Sequence, residues 1–166
     1  MKKILILIAL SGGLLNVLAQ GTLQFNANLS GANETPPNNS SLSGIGTFSL
    51  TGNSLDFSVL IQPATFPSDA GVYGAGNSLI FDLGTPIIDA PGPNGQPGSV
   101  SYSGNASLTA QEITDLESGQ GFVNIMTSAF PSGEIRGQIS SVPEPSSSIL
   151  FNAGIGMALL FLRKRK

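Results

Sequence analysis

Whatever chemistry this chain could perform rests on Glu34, Glu134 and Arg136. The sequence contains no His and no Cys, so neither a Ser-His-Asp triad nor a cysteine nucleophile can be assembled. Ser-Lys catalysis fails as well, because Lys occurs only at Lys2, Lys3, Lys164 and Lys166, all in the terminal segments. No Gly-rich phosphate loop ending in Lys-Ser or Lys-Thr is present, and no dinucleotide fingerprint follows a strand pattern. What remains is a carboxylate pair. Two carboxyl groups can hydrolyse a glycosidic bond, one as acid and one as base or nucleophile, and Glu34 and Glu134 are the candidates for that pair.

The same three residues also have a structural reading, and it is the one we prefer. Glu34 sits in the loop segment Gly31 to Ser41, where its carboxylate can accept backbone amides. Glu134 and Arg136 are two residues apart and share a face if they lie on one strand. Arg136 is the only cationic residue between Lys3 and Arg163. Once buried it needs carboxylate partners, and Glu34 becomes one if the first and last strands lie side by side. On this reading Glu34, Glu134 and Arg136 form a structural cluster with Arg136 as an internal clamp, and no residue is catalytic.

Cofactors are not expected. Without thiolate or imidazole the soft and borderline metals lose their usual ligands. Asp69 and Asp89 lie near Gly-rich, carbonyl-rich loops that resemble calcium surroundings only loosely, with no EF-hand or Asp-rich repeat; isolated loop Asp residues are turn formers. Between Gln20 and Val142 one Arg stands against nine acidic residues. Such a surface cannot replace phosphate counterions, so nucleic acid is excluded as a partner.

The elements that must position these residues read as short strands. The chain has 166 residues with 21 Gly and 11 Pro, a composition of many turns in a single domain. Leu23, Phe25, Ala27 and Leu29 alternate with polar residues, the pattern of a half-buried strand. Ile45 to Leu50 and Leu55 to Ile61, joined by Thr51-Gly52-Asn53-Ser54, read as a hairpin. Gln62 to Ser78 is a long loop or hides a short irregular strand. Leu79 to Leu83 is a short strand, Gly84 to Gly98 a Pro- and Gly-rich loop, and Val100 to Ser103 a short edge strand. Thr109 and Glu112 have the spacing of a capping box, and Gly119 is placed to end the one short helix. Phe122 to Met126 and Ile135 to Ile139 form a last strand pair around the turn-rich link Ser128 to Glu134. The expected fold is an all-β antiparallel sandwich with Greek-key-like connections and one short helix.

Both termini read as addresses. Lys2 and Lys3 precede the apolar run Ile4 to Leu10, and Val17-Leu18-Ala19 ends the segment on short residues, the order of a secretory signal peptide over residues 1–19, cut by signal peptidase after Ala19. The domain proper spans 20–141. Residues 142–166 carry Pro143-Glu144-Pro145, an apolar segment to Leu162 and four consecutive cations. Ser146 to Leu162 is about long enough for a transmembrane helix, and the cations hold its end in the cytoplasm, leaving the domain outside the inner membrane.

Pro143-Glu144-Pro145, the hydrophobic helix and the basic tail, in that order, resemble the PEP-CTERM sorting signal of bacterial exported proteins. The resemblance implies recognition of that tripeptide by an exosortase, a membrane cysteine protease that releases or transfers the protein, often in cells that secrete exopolysaccharide. The domain itself resembles the CHRD (chordin) family. The match lies in Leu29 to Pro37 (LSGANETPP), in Val123-Asn124-Ile125-Met126-Thr127 and in Gly133 to Gln138 (GEIRGQ). The resemblance implies an antiparallel β-sandwich in an extracellular protein. Family members commonly carry His-Ile-His in the middle loop and another His at the position of Met126. This chain offers Thr65, Phe66, Pro67 and Ser68 near the former and a thioether at the latter, so any imidazole metal site of relatives is absent.

The function these readings imply is an exported, non-catalytic extracellular or cell-surface domain, sorted by exosortase and associated with the surface or its exopolysaccharide. Its partners would be signal peptidase, exosortase, the inner membrane before processing, and extracellular polysaccharide. The alternatives are a carbohydrate- or calcium-binding module and, less favoured, a carboxylate-dependent glycan-active enzyme.

Overall fold

Alternating apolar residues along most of the chain can be buried only by pairing strands into a sheet whose apolar face is then covered. A computed structural model of the protein describes residues 21–89 and 98–143. Ala19, Glu144, Pro145 and the apolar run Ser146 to Leu162 lie outside the described residues, so the signal peptide and the anchor do too. Among the described residues no helix is long and apolar enough to cross a membrane.

In chain order the elements are β1 (Thr22–Ser30), a 3-10 turn (Gly31–Asn33), β2 (Ser43–Thr51), β3 (Ser54–Gln62) and β4 (Pro67–Tyr73). A second 3-10 turn (Ala75–Asn77), β5 (Leu79–Asp82), β6 (Ile87–Asp89) and β7 (Ser99–Ser107) follow. The chain then forms α1 (Ala110–Glu117), β8 (Phe122–Thr127), β9 (Ile135–Gln138) and β10 (Ser140–Ser141). All described strand pairs are antiparallel, and the strands run in the order β5-β4-β8-β9-β1-β2-β3-β7-β6, with β10 also on β1.

The antiparallel β architecture with one short helix agrees with the sequence reading. The expected sandwich is corrected in one respect: its layers are not separate sheets but one continuous sheet that curls over its own apolar face. The curl is visible where Phe81 of β5 meets Phe57 of β3, ring centroids 5.1 Å apart, although the two strands are six places apart in the sheet order. The seam is narrow. β9 meets β1 at the single register pair Ser30 and Arg136, and a Cβ on Gly137 would stand 2.9 Å from the carbonyl oxygen of Asn28. Only glycine lets the two backbones approach so closely there.

Alternation places the core as anticipated on β1, β2 and β3. Phe25, Ala27, Leu29, Phe48, Leu50, Leu55, Phe57, Val59 and Ile61 are buried in one cluster, and the β2–β3 hairpin pairs Thr51 with Ser54 around Gly52 and Asn53. Two expectations are corrected. Val100 to Ser103 is no edge strand: it belongs to the nine-residue β7, held between β3 and β6, with Val100 and Tyr102 buried. The sequence reading ended the strand at Ser103; the polar residues from there to Ser107 are mostly exposed or half-exposed, yet their backbone pairs fully with β3. β6 lies inside the Gly84 to Gly98 segment read as a loop, whereas β4, with its register shifts, is the irregular strand that Gln62 to Ser78 was expected to hide if it was not a long loop.

α1 begins as its capping box requires. The Thr109 amide donates to Glu112 Oε2 at 2.7 Å, and the Glu112 amide to Thr109 Oγ1 at 3.4 Å. Leu116 is buried in the core, and Gly119, at φ 71°, follows the last turn.

Candidate functional site

β8 is covered on both faces. Val123 and Ile125 point into the core, while Phe122 and Asn124, on the opposite face, are also buried. The cover on that second face comes from Tyr73 of β4, from Arg136 of β9 and from the loop that follows the first 3-10 turn. Register sets this up: Tyr73 pairs with Phe122, and Asn124 pairs with Arg136.

Arg136 is where the expectation of an internal clamp must be corrected. The first and last strands do lie side by side, but the half-buried guanidinium lies over the Phe122 ring, its Cζ 3.4 Å from the ring centroid. Phe122 in turn stacks on Tyr73, centroids 5.4 Å apart and planes inclined by 16°. Among the described residues the guanidinium makes no hydrogen bond and no ion pair. A cation on an aromatic face keeps its N–H edges hydrated, whereas a buried ion pair would forfeit that hydration, and the stack satisfies the side chain at lower desolvation cost.

Glu134 does not join Arg136. It precedes β9 rather than lying on it, and its carboxylate turns to the other side, accepting from Ser40 Oγ at 2.7 Å and from Thr127 Oγ1. The Asn38 amide donates to the Glu134 carbonyl at 3.0 Å, and its Oδ1 accepts from the Ser40 amide at 2.9 Å. These bonds fasten the loop after β1 to the link between β8 and β9, and the loop is therefore less superficial than its Pro and Asn content suggested.

That fastening buries Glu34, which is 7% exposed. Its Oε1 has no hydrogen-bond partner, and neither has Oδ1 of Asn124, equally buried. Both oxygens face Gly133, where an added Cβ would fall 2.5 Å from Glu34 Oε1 and 2.8 Å from Asn124 Oδ1. Gly133 also takes φ 137°, and any side chain there would meet both strain and collision. Burial pushes the Glu34 carboxyl above its usual range, opposed by the Arg136 charge and the Thr35 amide. Burial, then the charges of Asp69 and Asp82, hold the Tyr73 hydroxyl above the ordinary tyrosine value, so it remains a neutral donor.

Two polar cavities flank Arg136. One, of about 350 Å³, is bounded by Glu34, Tyr73, Asn77, Phe122, Asn124 and Met126. The other, of about 370 Å³, is lined by Asn26, Asn28, Asn33, Gln138 and Ser140. Arg136 lines both. Glu134 lines neither, so the carboxylate pair considered for glycoside hydrolysis does not converge on one substrate position. Asp69 accepts from the Ala70 amide and Asp89 from Ser99 Oγ, local bonds of strand ends. Among the described residues no group of three or more His, Cys, Asp or Glu is placed to hold a metal ion.

β1 and β9, which meet at Arg136, also delimit the stretch of the chain shared with known proteins. The CHRD domain family model matches residues 25–139. The chain belongs to the CHRD family. No curated protein and no solved structure matches it. CHRD domains are non-enzymatic domains of extracellular type. In this CHRD domain the cavity beside Arg136 includes the thioether of Met126.

Of the residues that build the site, Tyr73, Phe122, Asn124 and Asn38 were not singled out from the sequence. Asn124 left a signal, as the one amide in the otherwise apolar run Phe122 to Met126. Tyr73 and Asn38 left none, because their roles depend on strand register and on a loop folded back over the sheet.

Proposed function

We propose that this CHRD domain is an exported, non-catalytic binding domain that associates with cell-surface or matrix polysaccharide. The observation that carries the reading is Arg136: a guanidinium fixed on Phe122, unpaired by any described residue, between two cavities lined by amides and hydroxyls. Amide and guanidinium groups at the edge of a shallow polar cavity match the donors and acceptors of sugar hydroxyls, and pre-oriented groups lose little entropy on binding. Delivery to the surface rests on the sequence: a signal peptide cut after Ala19, then exosortase acting at Pro143-Glu144-Pro145, with the inner membrane holding the Ser146 to Leu162 helix until processing. Co-sedimentation of the full chain with exopolysaccharide from its own host tests the binding half. The polymer should carry the protein down, and a chain that stays wholly in the supernatant contradicts the reading.

A further inference from the structure

We propose that the group taken at Arg136 is a carboxylate borne on a sugar ring, so that the polymer this domain holds is built from uronic acid residues. The inference rests on the polysaccharide reading above and names its ligand class. The guanidinium is planar, and its Cζ stands 3.4 Å over the centroid of Phe122, too close for an N–H edge to come between them, so it stacks on that ring, which is itself backed by Tyr73. With one face covered, its hydrogen-bonding capacity is directed outward in the plane, as a fork of N–H donors that fits the two oxygens of a carboxylate.

No carboxylate of the described protein takes that fork. Both Glu134 oxygens are engaged by Ser40 and Thr127. Glu34 Oε1 is turned toward Gly133 and Asn124 and remains unpartnered there. Around the fork stand hydroxyl-recognising groups: Asn26, Asn28 and Ser140 on one side, Asn77 and the Tyr73 hydroxyl on the other. A ring bearing one carboxylate and several hydroxyls uses both sets. The surrounding domain is acidic, so attraction of a polyanion at long range is absent, and recognition has to come from this local fork.

The test is binding of the full chain, by isothermal titration in detergent, to polyglucuronate, polygalacturonate and polymannuronate, each compared with the same polymer after reduction of its carboxyl groups to primary alcohols. At least one acidic polymer should bind about tenfold or more tightly than its reduced counterpart, the loss of one charge-assisted bidentate contact. Arg136→Lys, which keeps the charge but not the fork, should weaken that binding by a similar factor, and Arg136→Gln should abolish it. Binding in which every acidic polymer is held no more tightly than its reduced form overturns the carboxylate inference while leaving the polysaccharide reading intact. Binding to none of the six by a chain that still sediments with its host's exopolysaccharide overturns the carboxylate inference alone, and failure in both experiments overturns both readings. The comparison of polymers uses the wild-type chain, so it decides the matter even if the Arg136 variants fail to fold, and undiminished binding by a folded Arg136→Lys overturns the fork geometry.

Discussion

Two carboxylates that look equivalent in the sequence stand in opposite surroundings, one met by donors and one facing an acceptor, and are expected to affect stability in opposite directions. Glu134 is hydrogen-bonded by Ser40 and Thr127, and Glu134→Ala leaves both hydroxyls without their acceptor. The expected loss is about 1–3 kcal/mol, read as a lower midpoint in urea. Glu34 Oε1 is buried beside the Asn124 Oδ1 acceptor with no donor of its own, and burial raises the Glu34 carboxyl above the usual value. A raised carboxyl favours the folded state most when it is neutral. The wild-type chain therefore has this contribution in full below the ordinary carboxyl pKa and loses it as pH rises through the raised one. Glu34→Gln is neutral throughout, and its amide can donate to Asn124 Oδ1. It should be more stable than wild type at neutral pH by about 1–3 kcal/mol, read as a higher melting temperature, and the difference should vanish in acid. Parallel melting curves at every pH would sink this account of Glu34.

At the scale of elements, the site depends on how closely β9 approaches its neighbours. Gly137 faces the Asn28 carbonyl across the seam, and Gly137→Ala must push β9 away from β1. Overpacking against backbone costs about 1–3 kcal/mol, and because Arg136 is the residue paired across that seam, sugar binding should weaken together with thermal stability. The helix is simpler. Thr109→Ala removes the side chain that caps α1, for a loss of about 1 kcal/mol in denaturant unfolding, with no change in binding because α1 contributes to neither cavity. The capping box was legible because all its partners lie within four residues. The full length of β7 was not, since Ser103 to Ser107 owes its extended form to backbone pairing with β3, which no side-chain pattern records.

At the scale of the whole molecule, the described domain is one curled sheet, and the proposed delivery to the surface rests on the terminal segments to either side of it. Intact-mass measurement of the protein from its own host should show a mature chain that begins at Gln20 and lacks Arg163 to Lys166; a basic tail retained on every copy rules out exosortase processing. The sequence by itself determined the antiparallel β class, the β1 and β2–β3 core alternation, the capped helix and the family, because each of these is written in spacing along a few consecutive residues. It also brought Glu34, Glu134 and Arg136 forward, since charges are conspicuous in so apolar a chain. Only the tertiary structure decided what they do. Sequence proximity paired Glu134 with Arg136, but a bend before β9 sends the carboxylate to Ser40 and Thr127, while register lays the guanidinium on Phe122. Side-chain direction at a strand end, and the curl that folds one half of a sheet over the other, arise from contacts between residues far apart in the chain, and those contacts made the expected clamp an open cation between two cavities.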